Sequence, residues 1–437
     1  SDLKPGSWVI YTLDGRDPRA SGGGIAPNVY SNSSPVTIVI SNNVRIVARC
    51  RNSNHSNLTG SGNPPLSSPW SGSIAATFVV STPTLAITEI MYNPEPPPAG
   101  SPYTASDFEY IELKNVGATT LNLNGFRFTN GIYFEFSQGT ITNLLPGQYV
   151  VVVKNRAAFL SRYPGVTNVT GEFAGQLDNA GEKLYLEGPM METTLDFSYD
   201  NSWYKMTDGN GFSLVIANEY APFDNWTIKT FWCQSAYENG SPGESDSIAP
   251  QIPPIYVNEV LARPLPGQKD EIELYNPNDF DVDIGGWFIS DDFNTPKKFE
   301  IPAGTIIRAN SYIVFTENDF NADTLPASFA FGAKGDDVYL FSGDGFGNLT
   351  GYYHGFDFGT SLEGVAFGRY ITSVGEEQFV LQRTNTIGTN NVGPVIGQVV
   401  ISEIMYNPLP ITVGTNLVNN TTDEYIELYN PNDYAVQ

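Results

Sequence analysis

Polar and apolar residues alternate in short runs along most of the chain. From Asp423 to Tyr429, Glu424, Ile426 and Leu428 fall on one face of an extended strand and Tyr425, Glu427 and Tyr429 on the other, since successive strand side chains point to opposite sides. Val44, Ile46, Ala48 and Cys50 share a face in the same way. Further strands are predicted in PGQYVVVVKN from Pro146, ANSYIVFTEN from Ala309, GEKLYLEG and GDDVYLFSG, with Gly, Asn and Pro between them as turn residues. Asn-Pro pairs (Asn93-Pro94, Asn276-Pro277, Asn430-Pro431) end strands, because proline removes a ladder donor. Arg156 to Tyr163 is the one segment with helical character, and Pro164-Gly165 stops it after two turns. Many short strands with turns between them predict an all-β chain of sandwiches.

The strand pattern repeats. ITEIMYNP at 87–94 returns as VNEVLARP at 257–264 and ISEIMYNP at 401–408. Each is followed by a second shared stretch: DFEYIELKNVGATTLNLNGFRFTN from Asp107, KDEIELYNPNDFDVDIGGWFISDD from Lys269, and TDEYIELYNPNDYAVQ from Thr422. Periods this long exceed those of solenoids, so each copy is expected to be a domain with its own core. The predicted organisation is a small β-domain over 1–81, repeats over 82–249 and 250–395, and the start of a third over 396–437. The joints at Thr82-Pro83, 245–254 and 390–397 are short, which places the modules close together. The third copy contains two predicted strands, too few to bury an apolar face alone, so it is expected either to continue into further chain or to take strands from a neighbour.

Composition narrows the function classes. The 437 residues carry a net charge of −25, a field that repels phosphate backbones and anionic lipid surfaces, so nucleic acid is excluded as an expected partner. No apolar run is long enough to cross a bilayer, and the first residues, Ser1-Asp2-Leu3-Lys4, lack the features of a signal peptide. Cys50 and Cys233 are the only cysteines and are expected to be buried free thiols. Hydrophobic residues at 41% and aromatics at 13% supply enough material for several cores.

The repeated module resembles the lamin tail domain as found in bacterial secreted proteins, on the strength of the EIMYNP start, DEYIELYNPND, the glycine-then-aromatic stretches GGWFISDD and NGFRFTN, and the late VYL strand. The end of the first copy, with Asp208-Gly209-Asn210-Gly211-Phe212-Ser213-Leu214, Asn225-Trp226 and Gly240-Ser241-Pro242-Gly243, resembles that family's closing pattern. Residues 8–80 resemble the β-sandwich repeat at the C-terminus of chitobiases and β-hexosaminidases, carried by Tyr11-Thr12-Leu13-Asp14-Gly15-Arg16-Asp17-Pro18 and the VRIVAR strand. The resemblance implies immunoglobulin-like folds throughout, a bacterial exported setting, and no active site.

Candidate chemistry is sparse. The two histidines, His55 and His354, cannot assemble a triad or a histidine-rich metal site and are read as loop or surface residues. Glu109/Glu112, Glu271/Glu273 and Glu424/Glu427 recur as acid pairs; two carboxylates can cleave a glycoside, but recurrence at one strand position points to a shared structural task such as accepting backbone N–H bonds. Asp291-Asp292, Asp336-Asp337 and Asp344 to Asn348 put oxygen ligands in turns that calcium could use, without the spacing of an EF-hand. Asn32, Asn57, Asn168, Asn225, Asn348 and Asn420 stand in N-x-Ser/Thr patterns, read mainly as chance. Nucleotide-binding, nucleophile-elbow and HExxH motifs are absent. No catalytic, cofactor or metal residue is therefore assigned, and calcium is the one cofactor kept open.

The expected function is structural or adhesive: sandwiches in series within an extracellular fibre, surface layer or adhesin stalk, partnered by other copies of the chain or other surface proteins. One rival is a polysaccharide-binding module in which Trp70, Trp203, Trp226, Trp232 or Trp287 stacks on sugar, Trp287 being expected in a core. Another is a non-catalytic accessory region of a larger exported enzyme such as a spore-coat-type kinase.

Overall fold

The computed structural model describes residues 6–53, 58–60, 63–66, 68–247, 249–322, 327–395, 397, 399–431, 433 and 436. The chain divides into two compact units, Ser1–Pro250 and Gln251–Gln437. Both are built almost entirely of β-strands.

In the first unit, Trp8–Thr12, Tyr30–Asn32, Val44–Arg51 and Ile74–Phe78 form a four-stranded antiparallel sheet with Val44–Arg51 between Trp8–Thr12 and Ile74–Phe78. Ile10, Val47 and Trp70 are buried on one side, while Val44, Ile46, Ala48 and Cys50, which share the opposite side as the alternation predicts, are half-buried. Thr77 Oγ1 donates to the Met190 carbonyl at 2.9 Å and Asn43 Nδ2 to Glu192 Oε1 at 3.2 Å, tying this sheet to a turn of the following module.

That module is a two-sheet sandwich. One sheet runs, in spatial order, Val169–Glu172, Tyr149–Val153, Tyr110–Asn115, Leu85–Met91, Leu214–Ile216 and Trp232–Gln234. The other runs Ala174–Gly175, Ile132–Glu135, Arg127–Asn130, Lys183–Glu187 and Thr193–Ser198. Alternate residues of both, among them Ile87, Ile111, Val150, Phe128, Leu184 and Phe197, form one continuous core. Tyr149–Val153 and Val169–Glu172 pair in parallel, which requires a crossover. The predicted helix, Arg156–Arg162, supplies it, capped by the Asn155 side chain accepting from the N–H groups of Ala157 and Ala158 and seated through Phe159.

In the second unit the repeat is a sandwich of a five-stranded sheet, in the order Tyr312–Thr316, Glu271–Tyr275, Tyr256–Leu261, Phe367–Ile371 and Glu377–Leu381, and a four-stranded one, in the order Phe299–Glu300, Phe288–Ser290, Asp336–Gly343 and Leu349–Phe358. Gly286 explains the glycine before the aromatic pair: its φ is +80° and a Cβ there would lie 2.5 Å from Gly345 Cα, so no side chain fits between the two backbones. A second short helix, Glu317–Phe320, was not anticipated, although Thr316 and Asp319 form its capping box and stand at the spacing that signals one. Val400–Met405 pairs with Tyr425–Tyr429 in a separate two-stranded sheet whose Ile401, Ile404, Ile426 and Leu428 are exposed.

The asparagine that ends the second strand of each full copy is a corner piece. Asn115 Nδ2 donates to the carbonyls of Thr119 and Leu144 and its Oδ1 accepts from Gly117 N–H. Asn276 does the same with Phe280, Ile307 and Asn278. An Asx side chain that holds its own turn while bridging to a neighbouring strand fixes where the chain leaves the sheet.

Candidate functional site

The opening strand and the second strand of each copy are neighbours, and in all three copies a glutamate of one lies directly opposite a glutamate of the other. Glu89 faces Glu112, Glu259 faces Glu273, and Glu403 faces Glu427. Each pairing follows a β-bulge one residue earlier, between Ile87 and Glu89, Val257 and Glu259, and Ile401 and Glu403. The extra residue of a bulge is unpaired and its side chain is re-aimed. Here it is polar every time and donates to the opposite glutamate: Thr88 to Glu112 at 2.6 Å, Asn258 to Glu273 at 2.7 Å, Ser402 to Glu427 at 2.6 Å. Two adjacent polar residues inside an apolar strand, Thr88-Glu89 within ITEI, interrupt period-two alternation and are the sequence signal for this bulge.

In the first two pairs the second oxygen set is taken by the end of the module. Ser241 N–H donates to Glu89 Oε1 at 3.0 Å, Ser213 Oγ donates to the same atom, and Gly243 N–H donates to Glu112 Oε2. In the next module Thr386 N–H and Oγ1 donate to the two oxygens of Glu259, both at 2.7 Å, and Gly388 N–H donates to Glu273 Oε2. Ser241-Pro242-Gly243 and Thr386-Ile387-Gly388 are thus one device, a Ser/Thr-x-Gly turn clasped by two carboxylates. Replacing Thr386 with Ala removes one charge-assisted bond and spares the N–H; the expected cost is about 1.5 kcal/mol in urea unfolding of the full chain.

A second carboxylate staple sits one turn away. Glu109 Oε2 accepts Leu177 N–H at 2.8 Å, and Asp270 Oδ2 accepts Phe331 N–H at 2.9 Å. The partner of Glu109 in the second module is therefore Asp270 and not Glu271, whose side chain is only half-buried: with the Ile-Glu-Leu triplets in register, Asp270 occupies the position of Glu109. Accepting backbone N–H groups is the task anticipated for these acids, and it extends to Glu89 and Glu259, which sequence reasoning passed over.

Glu89, Glu112, Glu259 and Glu273 are all at most 1% exposed. Burial, the largest influence on each, holds Glu89 and Glu112 well above the usual carboxylate range, and Asp246 and the facing glutamate add to it against the hydrogen bonds that favour ionisation. Burial likewise raises Glu259, pushes Glu273 and Glu109 up to about 7 and Asp270 up to about 6. Outside the first pair lies a groove of about 340 Å³ that also exposes Lys114, Tyr149 and Glu219, with Lys114 Nζ 2.8 Å from both Glu219 oxygens. In the first two pairs the carboxylate oxygens accept from donors of the module itself, and in this arrangement they hold the closing turn.

The remaining candidates are also structural. Asp292 and Asp344 accept N–H bonds inside their own turns, Asp336 accepts from Gly332 N–H, and Asp291 is paired with Lys298. Among the described residues no group of three or more acidic, cysteine or histidine side chains is arranged to hold a metal. His354 corrects the surface reading: it lies within the strand Leu349–Phe358, its Nδ1 accepts Val257 N–H at 2.9 Å and its Nε2 sits 3.3 Å from Glu377. His55 and Asn57 lie outside the described residues. Asn420 is buried, with its amide on Leu409 O and Asp423. Cys50 and Cys233 are free and half-buried. Of the tryptophans weighed for sugar stacking, Trp70, Trp226, Trp232 and Trp287 have their rings in cores, Trp287 as expected, and Trp203 packs half-buried on Trp232. The four rings in cores have no free face to offer a sugar.

No curated protein and no solved structure matches the chain. The Lamin Tail Domain family model matches it twice, over residues 80–200 and 249–349, taking in both opening strands, both second strands and both glutamate pairs. The two sandwiches with their repeated carboxylate clasp are two copies of one domain, and the chain belongs to the lamin tail domain family.

Proposed function

We propose that this is a non-catalytic, structural or adhesive protein of the cell surface, in which lamin tail modules in series, preceded by a chitobiase-type module, act as spacers and contact surfaces for other copies or other surface proteins. The observation that carries this reading is the use made of the recurring acids: Glu89, Glu112, Glu259 and Glu273, the residues best placed for acid–base work, are spent on holding each module's own closing turn. A general acid or base must be free to reach a substrate proton. Antibodies raised against the purified chain are expected to label intact cells of the source organism. Labelling that needs prior lysis overturns the surface assignment, and turnover of a glycan substrate that Glu112→Gln abolishes overturns the non-catalytic one.

A further inference from the structure

The four-stranded sheet at the start of the first unit carries a pocket of about 290 Å³, at the end where Trp8 begins its strand and Arg51 finishes its own. Its lining includes Trp8, Ile10, Ile25, Ser31 and Arg51. Strand pairing brings four of these together: Trp8 lies directly opposite Arg51, and Ile10 opposite Ser31, so alternation puts them on one face. Ile10 is buried, whereas Trp8 is 51% exposed and Ile25 49%. Arg51 is the anomaly. It is half-buried, with its guanidinium carbon 5.6 Å from the centre of the Trp70 ring, and it has no hydrogen-bond or carboxylate partner among the described residues. Its Nε is sealed from solvent, which leaves the two Nη groups as the accessible, unpartnered donors. Arg49, two residues back on the same face, is fully served: Asp17 accepts from its Nε and Nη2 at 2.7 and 2.6 Å, and the Ser71 carbonyl accepts from its Nη1 at 2.7 Å. In a chain with 47 acidic residues to 22 basic ones, a half-buried guanidinium without a counter-charge is costly unless a ligand supplies it.

We propose that this pocket binds a sugar residue bearing a carboxylate, a uronic acid within a polysaccharide, with the Nη groups of Arg51 donating to the carboxylate and the Trp8 ring stacked on the sugar's apolar face. The planar guanidinium presents two parallel N–H donors that match the two oxygens of a carboxylate. A pyranose ring has a flat C–H face rimmed by hydroxyls, which suits a half-exposed indole beside the exposed Ser31. A volume near the lower bound of small-ligand pockets, about 300 Å³, admits one such ring. Charge restricts the ligand further. The chain's −25 repels a polymer that is acidic at every residue, so an isolated or terminal acidic sugar in a neutral glycan is favoured. The pocket lies outside both lamin tail modules, so it adds a ligand to the proposed spacer role and does not depend on it.

The test is microcalorimetric titration of the full chain with methyl glucuronide, against methyl glucoside, which lacks the charge, and N-acetylalanine, which offers a peptide-type carboxylate without the ring. The glucuronide is expected to bind about tenfold more tightly than either control. Arg51→Gln and the exposed-ring variant Trp8→Ala are each expected to weaken it about tenfold, and Arg51→Lys, which keeps the charge and loses the fork, severalfold. Because Arg51→Gln removes an uncompensated charge, the melting temperature of the free protein is expected to hold or rise. No detectable glucuronide binding overturns the proposal, as does equal binding of glucuronide and glucoside. N-acetylalanine bound as tightly as the glucuronide overturns it in favour of a peptide C-terminus. Glucuronide binding that none of the variants weakens also overturns it, and a melting temperature that then falls in Arg51→Gln assigns the arginine to packing on Trp70 alone.

Discussion

Gly240→Ala is expected to cost the first lamin tail module about 3 kcal/mol or more, a fall in its thermal midpoint of roughly 10 °C. Gly240 has φ +71°, a left-handed conformation that any residue with a Cβ adopts at a cost of about 1 to 2 kcal/mol. The larger share comes from contact. A Cβ at this position would sit 2.0 Å from Glu89 Oε1, 2.5 Å from the Tyr110 hydroxyl and 2.9 Å from Ser213 Oγ, all of them fixed in the buried clasp. Either the closing turn moves off the carboxylate or Glu89 gives up a donor while still buried. Gly147→Ala is the control: its φ is +74° but nothing lies within 4 Å of the added carbon, so only the backbone cost is expected. Equal losses in the two variants, measured by calorimetry on the full chain, would show that the clasp tolerates displacement.

The second large effect is a loss of stability on raising the pH. Glu89, Glu112, Glu259, Glu273 and Glu109 all have folded-state pKa values above the unfolded value near 4.5, because burial penalises their charged forms. Between the two values the folded protein holds protons that the unfolded chain has released, so stability is fully present below about pH 4.5 and declines as the pH rises through about 7. Groups with lowered values act on the other side: Asp17, held near 2 by Arg49, contributes stability that disappears only in stronger acid. The clasp groups face Tyr110, Asp246 and Lys114; only Lys114 is positive, and with its ammonium paired to Glu219 it offsets a second ionised carboxylate less than burial opposes it. A decline on the order of 3 kcal/mol between pH 5 and pH 8 is expected, read as a fall of several degrees in the melting temperature. In Glu89→Gln that fall should shrink, because the glutamine can still accept from Ser213 and Ser241 and does not ionise. A wild-type midpoint that rises over this range is incompatible with the buried-acid account.

The sandwich was legible in the sequence because strands carry their own period: Tyr110-Ile111-Glu112-Leu113 and its copies read as strands before any partner is known, and the helix at 156–162 announced itself by composition and its Pro-Gly stop. The clasp was not. Its acceptors were half visible, as recurring acids, but its donors are main-chain N–H groups of Ser241, Gly243, Thr386 and Gly388, which no side-chain pattern reports. Asp270 was passed over for Glu271 because a spacing count does not see which residue the Ile-Glu-Leu register places at the bend. The tryptophans failed for a related reason. Trp226 and Trp232 lie in turn-rich chain where alternation says nothing about which side faces the opposite sheet, and only the packed structure puts them against Phe197.

The clasp joins chain positions 152 apart, from Glu89 to Ser241. Closing a loop of that span is entropically late, and during synthesis at roughly ten residues per second the opening strand waits more than about ten seconds for its last neighbour. Through that interval its edge is a free template for any strand that meets it. A carboxylate in the middle of the edge, bulged out of regular register and not yet desolvated, makes it a poor template: an incoming strand would have to bury the charge without offering the Ser/Thr-x-Gly amides that satisfy it. The same glutamates that hold the finished module shut guard the nascent chain against joining the wrong one.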